Sequence, residues 1–167
     1  MSLLLIVNCY ISKRRWTLMN NNQFQIMYEQ YKVGLFRYIL SITHDPSLAE
    51  DILQDTFVQF IVSETSIERG KEQAWLYKVA RNKCFNVLKR NKRELEFIES
   101  ISNSNQQEWK FFNLISSLTA KEQEIVTLKI VGGFSHKKIA RIIGSTIFAT
   151  KKRYERAIKK LRDEMEA

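Results

Sequence analysis

Residues that break helices are scarce in this chain: its 167 residues include five glycines and one proline, Pro46. Turn-rich β architectures need many more of both. Within Phe24–Val62, apolar residues such as Met27, Tyr31 and Leu35 recur instead at intervals of three and four, which is the repeat of one helix face. Because 44% of the residues are hydrophobic, such helices can bury a core. The sequence predicts an all-α protein.

Turn signals divide the first half of the chain into three predicted helices. Asp45 before Pro46 ends the first helix, because a residue that precedes proline avoids helical angles and proline suits a first helical turn. The second helix then covers Ser47–Val62 and stops at the polar, glycine-containing loop Ser63–Glu72. The third helix is expected over Gln73–Arg93.

The second half carries a helix-turn-helix pattern. Thr119 and Glu122 form a capping box at one helix start. Ser135 can cap the next helix, which stops at Gly144, where a sharp turn needs a positive φ. Thr146 can cap the last helix. Two helices around a glycine turn are typical of DNA-binding units, although a basic solvated helix in an ordinary bundle would show the same pattern.

We expect two small helical domains joined by a flexible linker. Near the N-terminus a short apolar run precedes Lys13-Arg14-Arg15, the reverse of a secretory signal, and no membrane insertion is expected because the run cannot span a bilayer. We hypothesise that the natural start is Met19; the alternative is a short extension packed on the first domain. The predicted segments are an N-terminal extension, 1–18, a first domain, 19–96, a Ser/Asn-rich linker, 97–110, and a second domain, 111–167.

The net charge of +9 suggests a polyanionic partner, either nucleic acid or an anionic membrane surface. The range Arg81–Arg93 contains no acid and is interleaved with Asn and with Phe85. This combination suits single-stranded DNA, because phosphates need countercharge and unstacked bases need flat surfaces. The last helix, from Thr146, carries a second array that suits the major groove. The alternative is that Phe85 and Trp75 are core residues, and for Trp75 we favour the core.

An acidic patch stands apart from the cationic arrays. Glu50, Asp51 and Asp55 lie on the second predicted helix beside Gln54. Acids cannot favour DNA, so in a basic protein they indicate a different partner. The alternative is a charged face that only contacts solvent.

Residues suited to catalysis or metal binding form no cluster in the sequence. Cys9 and Cys84 lack CxxC spacing, and His44 and His136 are equally isolated. The sequence shows no paired carboxylates, no nucleophile–base set and no ATPase motif. We therefore expect neither enzymatic activity nor a metal or other cofactor.

Four motifs, in order and at domain-scale spacing, resemble those of extracytoplasmic-function (ECF) sigma factors. Ala49–Phe57 (AEDILQDTF) resembles region 2.2, and Ala74–Asn82 (AWLYKVARN) resembles regions 2.3 and 2.4. Leu118–Val126 (LTAKEQEIV) and Phe134–Gly144 (FSHKKIARIIG) resemble region 4. The resemblance implies a helical region 2 bundle followed by a region 4 helix-turn-helix domain.

The resemblance also implies a function: a cytoplasmic, non-enzymatic subunit that directs RNA polymerase to promoters and melts the −10 element. The region 2.2 helix would dock on the β′ clamp helices of core polymerase, region 4 would also touch the β flap, and an anti-sigma factor is a further expected partner. The loop Ser63–Lys71 would receive one flipped base. The implied site residues are, for polymerase binding, Asp51, Gln54, Asp55 and Phe57; for the single-stranded −10 element, Lys78, Arg81, Asn82, Lys83, Asn86, Lys89 and Arg90; and for the −35 duplex, Thr146, Phe148, Lys151, Lys152, Arg153 and Arg156.

Three residues of the last domain depart from the family pattern. Ser145 and Thr150 replace apolar residues, and Phe148 replaces a small one. We expect the Thr150 hydroxyl to bond to a carbonyl one turn earlier. A second interpretation, a one-component helix-turn-helix regulator with a sensor or dimerisation domain, explains residues 135–162 equally well. It leaves the acidic helix and the basic range Arg81–Arg93 without a role.

Overall fold

The structure, a computed structural model, describes residues 21–63, 67–91, 111 and 113–166. Within these ranges every regular element is helical, which confirms the all-α prediction. The N-terminal extension, the start at Met19 and the linker 97–110 lie outside the described residues, as do residues 64–66 of the loop predicted to receive a base. The helices whose bounds are fully described are α1 (Asn21–Thr43), α2 (Pro46–Ser63), α3 (Glu72–Asn91), α4 (Ala120–Ile130), α5 (His136–Ile143) and α6 (Ile147–Glu166); residues 113–115 are helical as well.

Local hydrogen bonds close the turn between α1 and α2. Pro46 is the first residue of α2, a position at which a backbone N–H has no helical acceptor. The Asp45 carboxylate accepts from the backbone N–H groups of Ser47 at 2.9 Å and Leu48 at 3.1 Å. This bond pattern caps α2. His44 adopts a left-handed φ of 54°, so the chain reverses within a few residues and packs α2 against α1.

The first core lies between α1, α2 and α3. Leu35, Tyr38 and Ile39, predicted for the inner face of α1, are fully buried. A buried side chain of this size typically stabilises a fold by about 1.5–3 kcal/mol. Trp75 packs edge-on against Phe60 with ring centroids 5.7 Å apart, in agreement with the core interpretation of this tryptophan.

The second domain is organised by the predicted helix caps. Glu122 in the first turn of α4 accepts from the backbone N–H of Thr119 at 3.0 Å. The hydroxyls of Ser135 and Thr146 accept from backbone N–H groups three residues later, at 3.4 and 3.1 Å. Gly144 ends α5 in the left-handed conformation, with φ of 68°. These caps position α5 and α6 as a helix-turn-helix pair.

The two domains share an interface in which α1 contacts α4 and α3 contacts α5. The buried rings of Tyr77 and Phe134 pack edge-on with their centroids 4.9 Å apart. Gln73 Nε2 donates to the carbonyl oxygen of Gly132 at 3.0 Å. Beside this interface, Gly34 of α1 leaves space for the Tyr77 hydroxyl of α3, since a Cβ at Gly34 would lie 2.9 Å from that oxygen and 3.7 Å from the carbonyl oxygen of Val131 in the second domain. The two cores are continuous, an arrangement that the sequence did not predict.

Candidate nucleic-acid and partner surfaces

The acidic residues of α2 lie on its outer face. Asp51 and Asp55, one turn apart, are exposed, and Gln54 beside them is half-buried. Gln54 Nε2 donates to the Glu50 carboxylate at 3.4 Å. Asp55, 73% exposed, is 3.4 Å from the Lys83 ammonium on α3, and such a solvated pair contributes less than about 1 kcal/mol. The structure thus brings three of the four predicted polymerase-binding residues together on one surface.

Phe57, the fourth predicted polymerase-binding residue, is not on this surface. Its side chain has no exposed area. Its ring contacts Tyr28 at a centroid distance of 4.8 Å and Phe24 at 6.2 Å. A side chain without exposed area cannot contact a partner, so we correct the role of Phe57 to a core residue. It lies on the inner face of α2, and the acids lie on the outer face.

A row of polar, cationic and aromatic side chains forms the outer face of α3. Because its members are spaced by three and four residues, they share one side of the helix. Phe85 is 44% exposed, which separates it from the aromatic residues of the core. Arg90, at the end of the helix, is also exposed. The row, called the α3 stripe below, consists of the exposed residues Lys78, Asn82, Phe85, Asn86 and Lys89.

Arg81 and Lys83, the other two residues predicted to bind the −10 strand, contact acids within the molecule. Lys83 lies against Asp55, as described above. Arg81 Nε donates to Glu124 Oε1 of α4 at 2.7 Å; the Arg81 side chain is 23% exposed and that of Glu124 is 8% exposed. The Arg81 guanidinium also lies 4.6 Å from the centroid of the Phe85 ring. Both cations are therefore partly neutralised in this arrangement.

Glu124 is the centre of a buried cluster that sequence reasoning missed. The Tyr38 hydroxyl donates at 3.0 Å to the same Oε1 atom that accepts from Arg81. Burial, together with the charge of Glu124, raises the pKa of Tyr38 well above its ordinary value, so Tyr38 remains a proton donor. The signal in the sequence was an acid one turn before the buried Leu128, since acids are rare on apolar helix faces. We call Tyr38, Arg81 and Glu124 the Glu124 cluster.

Helix α6 presents the second cationic surface. Phe148, near its start, is 76% exposed. Thr150 is buried and its hydroxyl donates to the Thr146 carbonyl oxygen at 2.8 Å, which confirms the predicted bond. The predicted −35 residues lie on this helix or at its cap: Thr146, Phe148, Lys151, Lys152 and Arg156 are exposed, and Arg153 is half-buried.

In the parts of the chain that the structure describes, no three His, Cys, Asp or Glu side chains are close enough to hold a metal ion. Burial raises the pKa of the Cys84 thiol to about 12, which disfavours the reactive thiolate. Among the described helices, none has the length and apolar character required to cross a membrane.

Two family models match the chain over the domains just described. Residues 27–94 match Sigma-70 region 2, and residues 110–161 match Sigma-70 region 4. The two matches together define a two-region transcription initiation factor. The chain belongs to the sigma-70 family of RNA polymerase sigma factors, which are initiation factors and not enzymes. The region 2 match contains the acidic and basic helices that a one-component regulator would leave without a role, so that interpretation is set aside.

Individual relatives place the chain in the ECF group of this family. SigM of Bacillus subtilis strain 168 is 33% identical over 78 residues, which cover 47% of this chain and 48% of SigM. SigX of the same strain is 19% identical over 162 residues, covering 86% of this chain and 84% of SigX. Both are ECF sigma factors. The family prediction is confirmed.

Solved structures share the fold. The sigma factor RpoE from Bartonella quintana, in complex with the anti-sigma factor NepR, superimposes with a TM-score of 0.73 at 26% identity, covering 86% of this chain and 97% of that chain. CnrH, in complex with the cytosolic domain of CnrY, superimposes with a TM-score of 0.66 at 22% identity, covering 88% of this chain and 90% of that chain. The predicted two-domain helical architecture is therefore confirmed.

Proposed function

We propose that this sigma factor docks on core RNA polymerase through the acidic face of α2 and holds promoter DNA with two cationic surfaces. The α3 stripe takes the melted −10 element and α6 takes the −35 duplex. The observation that carries the proposal is the separation of charge: exposed acids gather on α2, and exposed cations gather on α3 and α6. Surfaces of opposite charge let one chain bind a protein partner and DNA at the same time.

The docking proposal rests on Asp51 and Asp55. Both carboxylates are exposed one turn apart on a helix whose opposite face is fixed in the core. A rigid helix that presents acids suits a basic, helical partner surface, and the β′ clamp helices are the partner that we propose. Opposite charges on the two surfaces would guide their association and fix its register.

The chemistry of the α3 stripe suits a separated DNA strand. Lys78 and Lys89 provide countercharge for phosphates, and Asn82 and Asn86 can bond to base edges. The exposed ring of Phe85 offers a stacking surface, which contributes about 1–3 kcal/mol per base. Unpairing a base requires a few kcal/mol, so stacking and phosphate contacts are large enough to offset it.

Helix α6 suits the major groove of duplex DNA. Its N-terminal residues can reach base edges, and Phe148 can contact a thymine methyl group. Lys151 and Lys152 can contact phosphates, which position the helix without reading sequence. His136 of α5 packs edge-on against Tyr154 of α6 with ring centroids 5.3 Å apart, so the supporting helix holds α6 in place.

The remaining partners are proposed from the family and its neighbours. RpoE and CnrH were each solved with a bound protein, the anti-sigma factor NepR and the cytosolic domain of CnrY respectively. We propose that an anti-sigma factor also binds this chain. We further propose that the second domain contacts the β flap, and that the chain acts in the cytoplasm, where core polymerase transcribes.

Charge reversal at Asp51 tests the docking surface. Reversal at Asp55 is less informative, because it would also break the contact with Lys83. We expect Asp51→Lys to abolish co-elution with core RNA polymerase in gel filtration and to leave the helical circular-dichroism signal unchanged. Glu29→Lys is the control for charge, since it makes the same change at a 50% exposed acid of α1; it also breaks the Glu29–Lys32 ion pair, so it tests in addition whether loss of a surface pair affects docking, and it should co-elute like the wild type. Co-elution of Asp51→Lys at the wild-type level would exclude α2 from docking.

A further inference from the structure

We propose that Glu124 is a conformational lock. Its bond to Arg81 holds the two domains together, in a closed state, while the chain is free of polymerase. In this closed state the chain binds melted DNA weakly. This inference rests on the proposed function, because it requires that α3 bind the separated strand. The Glu124 cluster lies where α1 and α3 of the first domain meet α4 of the second. The restraint on DNA binding is therefore located at the domain interface.

Glu124 competes with DNA for Arg81. The Nε donor of Arg81 is committed to Glu124 at 2.7 Å, and 23% of the arginine side chain is exposed. A phosphate that approached this guanidinium would come close to the carboxylate of Glu124. Repulsion between like charges is strong in a poorly solvated site. Arg81 can contact a phosphate effectively only after it separates from Glu124.

The contact between Arg81 and Glu124 also covers the stacking surface of the α3 stripe. The Arg81 guanidinium lies 4.6 Å from the centroid of the Phe85 ring, so an unstacked base cannot occupy that part of the ring face. The charge-assisted bond to Glu124, of a kind stronger than a neutral hydrogen bond, holds the guanidinium there. Release of Arg81 would supply a cation and uncover an aromatic ring at the same time.

The closed state has contacts beyond the Glu124 cluster. The Tyr77–Phe134 ring contact and the bond from Gln73 to Gly132 join the same two domains. Glu124 is nearly buried, and a buried carboxylate requires its donors. We call the state in which Arg81 has separated from Glu124 the open state. If DNA binds only open molecules, its apparent affinity for the chain is the intrinsic affinity multiplied by the fraction of molecules that are open. A weaker lock should therefore tighten DNA binding although no DNA-contacting residue has changed.

Fluorescence anisotropy of a short, mixed-sequence single-stranded oligonucleotide, titrated with the full chain in the absence of polymerase, tests this proposal. Glu124→Gln retains an acceptor oxygen for Tyr38 but removes the charge that holds Arg81. We expect it to bind about tenfold more tightly than the wild type, within the usual range of conformational coupling. Tyr38→Phe removes only one donor to Glu124, so it should tighten binding by a smaller factor. Circular dichroism verifies that each variant is folded.

Glu122→Gln is the matched control for charge. Glu122 lies on the same helix, is 6% exposed, and contacts Lys160 and Thr119 of its own domain. The substitution raises the net charge by the same amount as Glu124→Gln but leaves the domain interface intact. Its affinity for the oligonucleotide should equal that of the wild type. An equal gain in both variants would contradict the lock, because it would show a general effect of charge.

Lys89→Ala separates failure of the lock from failure of the proposed function. Lys89 belongs to the α3 stripe and lies outside the Glu124 cluster. If Lys89→Ala weakens binding while Glu124→Gln and Tyr38→Phe leave it unchanged, the strand-binding surface stands and the lock is refuted. If Lys89→Ala also has no effect, the assignment of α3 to the separated strand is refuted, and the lock with it.

Discussion

The buried ring of Phe57 gives a quantitative test of its reassignment from the polymerase surface to the core. Phe57→Leu removes two ring contacts, with Tyr28 at 4.8 Å and with Phe24 at 6.2 Å. Each aromatic pair contributes about 0.5–1.5 kcal/mol beyond its buried area, and the smaller side chain loses about 1 kcal/mol more of buried apolar contact. We expect the free energy of unfolding to fall by about 2–4 kcal/mol. The domain should stay folded, because typical stabilities are about 5–15 kcal/mol.

Urea denaturation followed by circular dichroism measures this loss. With a urea dependence of about 2 kcal/mol per molar, the midpoint should fall by about 1–2 M. Phe148→Leu makes the same chemical change at a 76% exposed site, so it should alter stability by less than about 0.5 kcal/mol. In buffer, where Phe57→Leu remains folded, its affinity for core polymerase should match that of the wild type.

The opposite pattern would refute the reasoning. If Phe57→Leu lost its affinity for polymerase while its urea midpoint stayed at the wild-type value, the ring would have to reach the partner. Phe57 would then return to the docking surface beside Asp51, and the packing of α2 described above would be incorrect.

Three further predictions follow from the structure. Burial raises the pKa of the Glu122 carboxyl, but the Lys160 ammonium and the bonds from Thr119 at the helix start outweigh burial, so the net pKa is lowered. The ionised carboxylate therefore stabilises the folded state at neutral pH. This stabilisation is lost as the pH falls through the folded-state pKa. Glu122→Gln should be less stable than the wild type by about 1 kcal/mol at neutral pH and converge with it in acid, and a constant gap in melting curves would contradict this. Cys84, whose buried thiol has a pKa raised to about 12, should react with Ellman's reagent in a Cys9→Ser background only after unfolding; rapid reaction in buffer would show that it is accessible. Arg156→Ala should reduce the salt slope of duplex binding by about one, and an unchanged slope would remove Arg156 from the phosphate contacts.

The helix caps could be predicted because each depends on residues close in sequence. The hydroxyls of Ser135 and Thr146, the predicted caps, bond to backbone groups three residues later. Asp45, predicted only to end α1, also bonds to backbone groups two and three residues later. Gly144 has the positive φ that its position at the end of a helix requires. Such signals need no knowledge of the tertiary fold. The element types and most boundaries therefore followed from the sequence.

The Glu124 cluster could not be predicted in the same way. Arg81 and Glu124 are 43 positions apart, and Tyr38 and Glu124 are 86 positions apart. Only the packing of α4 against the first domain brings them together, and helix periodicity does not specify which helices of two domains meet. The local pattern of charge predicts Arg81 as a DNA contact, but it does not indicate the distant acid, Glu124, that pairs with Arg81 in the folded chain.

Phe57 shows a different limit of sequence reasoning. The motif AEDILQDTF covers more than two turns of α2, and a resemblance to a motif does not state which side of the helix each residue faces. Asp51 and Asp55 face outward, whereas Phe57, two residues after Asp55, has no exposed area. The helical repeat of 3.6 residues places such neighbours about 200° apart. The helical period therefore predicts the orientation of Phe57 better than its membership of the motif does.

Run-off transcription with purified core polymerase and a genomic promoter library tests the central claim most directly. The wild-type chain should convert the inactive core into an initiating holoenzyme on a subset of templates. Asp51→Lys should lose both transcription and co-elution with core, whereas Lys89→Ala should retain co-elution and lose transcripts. No transcript from the wild-type chain on any template, or loss of co-elution in Lys89→Ala, would contradict the assignment of docking and DNA binding to separate surfaces.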